Sequence, residues 1–480
     1  MDEGQERNNV DFKNIHFVGI GGAGMSGIAK VLLEMGYSVS GSDIKESRNT
    51  LNLRKQGATI KIGHNPQNLE SADVVVVSSA IKGDNPEVKF SQKKGIPILK
   101  RAEMLSELGE GKVCIAVAGT HGKTTTTSLI SFIFEKNDLN PTFLIGGELN
   151  DIGSNAKYGK GDFFIVEADE SDGSLLYLKP DIIVVTNIEE DHLDYFKSLD
   201  GIEATFLKFI ELLPHDGHLV INMDHPINKK FIEKIKTKSS LSKLRITTYG
   251  FEDTNDYSAK NLELNSFNSS FDVLIKGKKA GNVSLKVPGC HNVSNSLAAI
   301  AVGDLAGIKF LKAARALKNF SGVKRRFQLV GICSDVTIVD DYAHHPSEVK
   351  ATLDAAKDGD WGRVICVFQP HRYSRTRSLA DEFGTSFEQA DMVIITDVYG
   401  AGEVPEPGIN GKLILDSLLE YNPHVDAVYL PRKVDINDFL SSFTERGDLI
   451  LTMGAGDIHS VGEDFLSFLI EKNDSVEVNS

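Results

Sequence analysis

Cysteine, tryptophan and long apolar runs are all scarce in this chain, and each scarcity narrows what it can be. Its four cysteines in 480 residues, Cys114, Cys290, Cys333 and Cys366, show no paired spacing, and three lie in or beside apolar runs. They read as small core residues of a reducing compartment, not as a disulfide framework or a zinc site. No stretch reaches the roughly 18 apolar residues of a membrane span, and Met1 to Val10 is polar and acidic, unlike a signal peptide. The expectation is a cytoplasmic protein without a membrane partner. Positive charge is also short: 52 Lys and Arg against 67 Asp and Glu leave a net charge of -15. That argues against nucleic acid as a partner and requires any anionic substrate to be met by local cationic pockets. The length suggests two to four domains.

What is present begins with an apolar run, Val113 to Val117, that turns into Ala118-Gly119-Thr120-His121-Gly122-Lys123-Thr124-Thr125 and opens a helix. Glycines let main-chain N–H groups converge on an anion, a helix N-terminus adds partial positive charge, Lys123 supplies a cation, and the Thr124 hydroxyl suits a Mg2+ shell. The spacing departs from the common phosphate loop, because Gly119 stands only three positions before Gly122. The expected ligand is a nucleoside triphosphate.

A second glycine loop lies earlier. An apolar strand, Ile15 to Ile20, runs into Gly19-Ile20-Gly21-Gly22-Ala23-Gly24, and an acidic residue, Asp43, follows about twenty positions on. Taken alone this proposes NAD, but a UDP-sugar meets the same physical requirement of a pyrophosphate on a helix N-terminus. Strands at Val74 to Ser79 and Ile96 to Leu99 and a helix through Ala102 to Leu108 complete a small parallel domain, 1–109.

A central domain, 110–320, carries two apolar runs that end in acids: Phe163 to Asp172, with Glu167, and Ile182 to His192, ending Glu189-Glu190-Asp191-His192. In a parallel sheet these ends share an edge with the phosphate loop, which brings Glu167 and His192 toward one metal-phosphate region, although four acids between Glu167 and Asp172 leave the choice among them open. From Ile246 to Val287 short alternating segments with turn signals at Lys276-Gly277 and Ala280-Gly281 predict appended antiparallel strands. Asn292 and Asn295 then share one helix face, where amides read a base or simply cap.

The last domain, 321–480, again alternates apolar runs with helical patterns, which predicts a mostly parallel, doubly wound sheet. Two clusters follow its strands: Asp340-Asp341-Tyr342-Ala343-His344-His345-Pro346, and Gln369-Pro370-His371-Arg372-Tyr373-Ser374-Arg375. The arginines, with Lys324-Arg325-Arg326 upstream, offer planar forks for carboxylate or phosphate. The turn Gly454-Ala455-Gly456 either binds an anion or changes direction.

The motifs in this order resemble the Mur ligases, over essentially all of residues 14 to 472. The resemblance implies an α/β protein of three domains: an N-terminal Rossmann-like domain for a UDP-sugar, a central P-loop mononucleotide-binding sheet for ATP with appended antiparallel strands, and a C-terminal Rossmann-like domain for an amino acid. It implies ATP-dependent amide formation, with ATP and Mg2+ required, and within the family it points to the branch that joins L-alanine to UDP-N-acetylmuramate. The first glycine loop then holds UDP, with Gly19, Gly21, Gly22, Gly24, Met25, Asp43 and Ser78 as contacts. ATP falls to Gly119, Thr120, His121, Gly122, Lys123, Thr124, Thr125, His291, Asn292, Asn295, Arg326 and Asp341. The metal falls to Thr124, Glu167 and His192, and the amino acid to His344, His345, His371, Arg372 and Arg375. Lys123, Glu167, His192, Arg326, His344 and Arg375 are the expected catalytic set. Related ligases carry a modified lysine after the second metal-binding strand; Asn187 to Tyr195 contains none, which fits the alanine-adding branch. A monomer or weak homodimer is expected.

Overall fold

The computed structural model describes residues 12–69, 71–171, 173–190, 196 and 198–477, with side chains in the last helix described to 473. The chain packs as two compact units: one holds residues up to Glu148 with Gly153–Ile221 and Ile227–Ile246, the other Leu149–Ile152, Asn222–Pro226 and the rest from Thr247.

Unit one opens with β1 (Asn14–Val18), β2 (Ser38–Asp43), β3 (Thr59–Ile62), β4 (Val74–Val77) and β5 (Ile98–Lys100), in the order β3-β2-β1-β4-β5. All its pairs are parallel. Both faces of β1 and β4 are covered, which is why they read as continuous apolar runs rather than alternating ones. Gly41 is required by packing: a Cβ there would stand 2.6 Å from Ile20 Cδ1 and 2.8 Å from the Phe17 carbonyl oxygen. β3, with three of four residues exposed, has no apolar run to announce it in the sequence.

The same unit contains β6 (Val113–Ala118), β7 (Thr142–Leu149), β8 (Ser154–Lys157), β9 (Phe163–Glu167), β10 (Ile182–Val185) and β11 (His218–Asn222), ordered β11-β10-β6-β9-β7-β8. β6 lies between β9 and β10 in parallel register, Val117 opposite Glu167 and Ala118 opposite Val185. The segments that follow these three strands therefore emerge along one edge, as the sequence pattern predicts.

In unit two, the end of β12 (Arg245–Gly250) pairs with β13 (Tyr257–Asn265), which forms antiparallel ladders through β14 (Asn268–Ile275) to β15 (Lys278–Leu285). Lys276-Gly277 is the turn, but Ala280-Gly281 is not: it lies within β15 beside a register shift at Val273/Leu274. Gly281 has φ +153° with Phe310 2.7 Å from where its Cβ would be, so the glycine marks a bulge under a close neighbour. The helix Cys290–Leu305 follows.

The third sheet comprises β16 (Gln328–Cys333), β17 (Val336–Asp341), β18 (Val364–Phe368), β19 (Met392–Ile395), β20 (Asp426–Tyr429) and β21 (Leu449–Met453), ordered β16-β17-β21-β18-β19-β20. Only β16 is antiparallel to its neighbour. One face packs on the helices Pro346–Lys357 and Gly411–Tyr421, the other on Lys433–Phe443 and His459–Glu477. The architecture is α/β with three sheets and appended antiparallel strands, as the patterning leads one to expect.

Candidate functional site

The phosphate loop of unit one is a tied structure. Gly119 has φ +140°, and a Cβ on it would lie 2.0 Å from Thr186 Oγ1. Gly122 begins the helix Lys123–Lys136 with φ +78°, so glycine is needed at both positions. The Thr120 and His121 N–H groups donate to the Asn187 carbonyl and Oδ1 at 2.9 and 2.8 Å, and Thr186 Oγ1 donates to the His121 carbonyl at 2.6 Å. Two residues assigned to ATP thus already spend their main-chain donors on the loop after β10. The first N–H groups of the helix, from Lys123, Thr124 and Thr125, have no acceptor within it and are left to an anion.

Lys123 lies folded back on the loop. Its Nζ donates to the carbonyls of Gly119 (2.5 Å) and Thr120 (3.0 Å) and to Glu170 Oε1 (2.8 Å). Burial acts to lower its pKa, but Glu170, with Glu167 and Asp169, raises it and keeps the ammonium charged. Burial pushes the Glu170 carboxyl up to about 7 against the pull of Lys123, and its second oxygen is buried without a hydrogen-bond partner. Thr124 Oγ1 lies 3.1 Å from Glu167 Oε1, while Glu167 Oε2 accepts from Gly146 N at 2.8 Å. A hydroxyl and a carboxylate side by side are hard oxygen donors of the kind Mg2+ takes. His192 lies outside the described residues, as do Asp172 and Asp191.

The earlier glycine loop is organised differently. Gly19 N and Ile20 N donate to the Ser42 carbonyl at 2.8 and 3.1 Å, and Gly21 N donates to Asp43 Oδ2 at 2.8 Å. The end of β2 therefore holds the loop, and Asp43 is in place beside it. Ser78 flanks Gly19, its Cβ 3.3 Å from where a Gly19 side chain would start. Met25 is 1% exposed; its side chain belongs to the core, which leaves only its main chain for a ligand.

Arg101 was not singled out by sequence. Its Nη1 stands 2.9 Å from the Cβ position of Gly24, and its Nη2 lies 3.7 Å from Asp169 Oδ2. The acidic pair Asp169-Glu170 thus carries Arg101 on one side and Lys123 on the other. The signal available was Arg101 at the C-terminal end of β5, where parallel sheets bind ligands.

In unit two, β17, β21 and β18 are neighbours, so the clusters after them share an edge. Arg325 and Arg326 separate there by role. Arg325, with φ +60°, donates to Asp340 Oδ2 and to the carbonyls of Gly456 and Gly454 at 2.9, 2.9 and 2.6 Å. The Gly454-Ala455-Gly456 turn therefore presents carbonyls to a structural arginine. Arg326 lies 3.6 Å from Glu348 and over the Tyr342 ring. Asp341 accepts from Phe327 N and Ala343 N at 2.6 and 2.7 Å and is buried, which pushes its carboxyl up to about 6 despite Arg326. It fastens its own loop, and only its remaining lone pairs are open to a ribose.

His344 Nδ1 lies 2.9 Å from the Tyr342 carbonyl and 3.1 Å from Glu348, and its ring meets His371 edge-on at 5.6 Å. Burial brings its pKa down to about 3, Glu348 opposing and Arg375 assisting, so the imidazole is neutral. His371 stacks on Tyr399 and lies 3.3 Å from Arg375 Nη1. Arg372 has φ +70° and opens the helix Tyr373–Ser378. His345 is the N-cap position of Pro346–Lys357, with Nδ1 2.8 Å from Ser347 Oγ. The fold thus gathers His344, His371 and Arg375. On the helix Cys290–Leu305, His291 is exposed while Asn292 and Asn295 are buried. Asn292 Nδ2 donates to the Pro288 carbonyl at 2.7 Å, the capping role.

Family models match in sequence: the Mur ligase family catalytic domain at residues 14–112, the Mur ligase middle domain at 117–303, and the Mur ligase glutamate ligase domain at 325–456. The chain is 46% identical to UDP-N-acetylmuramate--L-alanine ligase of Dictyoglomus turgidum over 95% of its length and 97% of the relative's. It is 47% identical to the protein of that name from Desulforamulus reducens, covering 96% and 98%. Among solved structures it resembles UDP-N-acetylmuramate-alanine ligase from Thermotoga maritima (TM-score 0.79, 29% identity, 96% and 100% covered). It also resembles a murein peptide ligase from Psychrobacter arcticus (TM-score 0.67, 25% identity, 95% and 98% covered). With all three sheets matched in order and near-complete coverage in both directions, this chain belongs to the Mur ligase family.

Proposed function

We infer that this protein is an ATP-dependent amide-forming ligase that joins L-alanine to the lactyl carboxylate of UDP-N-acetylmuramate in peptidoglycan precursor synthesis, releasing ADP and phosphate. The observation that carries the chemistry is the cluster of Lys123, Thr124 and Glu167 at the glycine loop; the acceptor is carried by relatives of 46–47% identity over nearly the whole chain. The carboxylate attacks the γ-phosphorus, the bond to ADP breaks, and an acyl phosphate forms. The neutral alanine amine then adds to the acyl carbon, its nitrogen gives up one proton to solvent, and the tetrahedral adduct expels phosphate. Two anions meet in the first step, and Lys123 is placed to turn from Glu170 to the phosphates and offset their repulsion. Thr124 and Glu167 would hold Mg2+, which when bound neutralises phosphate charge there. The neutral imidazole of His344 and the Arg375 guanidinium suit an amino acid's ammonium and carboxylate, and Arg326 suits developing phosphate charge.

In this reading residues 1–109 bind the UDP-sugar, 110–320 bind ATP and 321–480 bring the amino acid, in a cytoplasmic monomer or weak homodimer. No helix among the described residues is long and apolar enough to cross a membrane. The test is phosphate release from ATP and Mg2+ with UDP-N-acetylmuramate and each amino acid added in turn. Release that requires both the sugar nucleotide and L-alanine is expected. Release that requires a preformed peptide would make it a peptide-recycling ligase instead.

A further inference from the structure

Two residues that break local rules meet in unit two. The strands β13 and β14 close on the pair Asn265 and Asn268, so Ser266-Phe267 is a two-residue hairpin loop. Such loops favour turns with a positive φ at their first position, supplied by glycine, asparagine or aspartate. The neighbouring hairpin shows the expected backbone: Lys276 and Gly277 have φ +49° and +73°. Neither Ser266 nor Phe267 has a positive φ, and a large aromatic at the tip serves no turn geometry. Its ring instead meets Phe327 edge-on at 6.2 Å and Trp361, the only tryptophan of the chain, at 5.7 Å. Beside them the Asp360 N–H donates to Ser266 Oγ at 3.4 Å. The tip of the antiparallel strands is thus seated on the margin of the third sheet's core.

Phe327 is the second exception. It has φ +45°, and Arg325 has φ +60°, a left-handed backbone that bulky residues adopt only where their surroundings impose it. Arg326 stands between them. On the Arg325 side, polar ties hold the strain. Besides the three acceptors of its guanidinium, its N–H donates to Gln328 Oε1 at 2.8 Å and its carbonyl accepts from Tyr342 N at 2.7 Å. On the Phe327 side the N–H is tied to Asp341, and the ring, 7% exposed, is held by packing. Phe267 closes that packing from outside.

We propose that Phe267 is a positioning residue: by packing on Phe327 and Trp361 it holds the strained segment Arg325–Phe327, and so aims Arg326 at the phosphate charge that develops in the reaction. This rests on the reading of Arg326 as a phosphate-stabilising cation. A guanidinium that acts on a developing charge has to be fixed before the reaction begins, so loss of the remote ring reaches kcat rather than sugar-nucleotide binding.

The experiment is a double-mutant cycle on phosphate release from ATP with UDP-N-acetylmuramate and L-alanine, with Trp361 fluorescence as the local signal. Phe267→Ala is expected to lower kcat roughly tenfold, within what a small misplacement of a reacting group costs. It should leave KM for the sugar nucleotide unchanged and shift Trp361 emission to the red. Phe267→Tyr, which keeps the ring, should restore kcat. In the Arg326→Ala background, Phe267→Ala should lower kcat by less than about twofold, because the group it positions is gone; Arg326→Lys serves as the background where Arg326→Ala is too slow to measure. If Phe267→Ala fails to fold, Phe267→Leu makes the same test. An unchanged kcat in Phe267→Ala, or the same loss with and without Arg326, would overturn the proposal. An Arg326→Ala variant as active as the wild type would instead overturn the reading of Arg326, and this inference with it.

Discussion

Glu87, behind the first glycine loop, and Glu170, beside the second, are both almost wholly buried, at 0% and 3% exposure, yet the protein treats their charges in opposite ways. Glu87 is surrounded by donors on both oxygens and held down to about 2. Glu170 has Lys123 on one oxygen and no hydrogen-bond partner on the other, and burial pushes it up to about 7. The first loop is thus backed by a carboxylate fixed by its donors, and the second by an ion pair in which one carboxylate oxygen is left unsatisfied.

The comparison breaks most visibly at the lysine. Lys123→Ala is expected to lower kcat by about a thousandfold or more while leaving UDP binding at the Gly19–Gly24 loop intact, measured by phosphate release and by calorimetry. A loss of UDP affinity as large as the loss of turnover would show that the loops do not act separately.

The glycines give the next contrast. Gly119→Ala would drive its Cβ into Thr186 and Asn187 at a φ of +140° and should cost about 3 kcal/mol in thermal or urea unfolding. Gly22 has φ -62°, with its nearest neighbours 3.6 and 3.9 Å from a Cβ, so Gly22→Ala should shift stability by no more than about 0.5 kcal/mol.

Stability against pH sharpens the glutamates themselves. For Glu87 the unfolded chain gains a proton near pH 4.5 that the folded chain refuses until about 2. Its contribution is therefore complete above 4.5 and lost as pH falls through 2, and Glu87→Gln should remove up to about 3 kcal/mol at neutral pH and flatten that stretch. For Glu170 the folded chain takes up its proton first, near 7 rather than 4.5, so wild-type stability falls as pH rises across that window. Glu170→Gln should remove this slope of opposite sign, read from unfolding midpoints between pH 4.5 and 7.

Much of this was legible in the chain itself. Val113 to Gly122 specifies strand, turn and helix within a dozen residues, because apolar run, glycines and helix formers act locally, and the same holds for Ile15 to Gly24. β3 and β8 were not legible: both are four-residue edge strands with no apolar run, β3 mostly exposed and β8 reading Ser-Asn-Ala-Lys. Ala280-Gly281 reads as a turn locally and is a bulge because Phe310 packs there.

The sequence by itself determined the α/β alternation, the two glycine loops between strand and helix, and the strands after which Glu167, His344 and Arg375 come, since each depends on residues close together in the chain. Only the tertiary structure decided that Arg325 locks a turn while Arg326 does not, that Thr120 and His121 are tied to Asn187, that Glu87 and Glu170 are buried, and that Arg101 stands beside Asp169. Those are decisions of burial and hydrogen-bond partnership between distant segments, and a buried charge is defined by what surrounds it rather than by what precedes it.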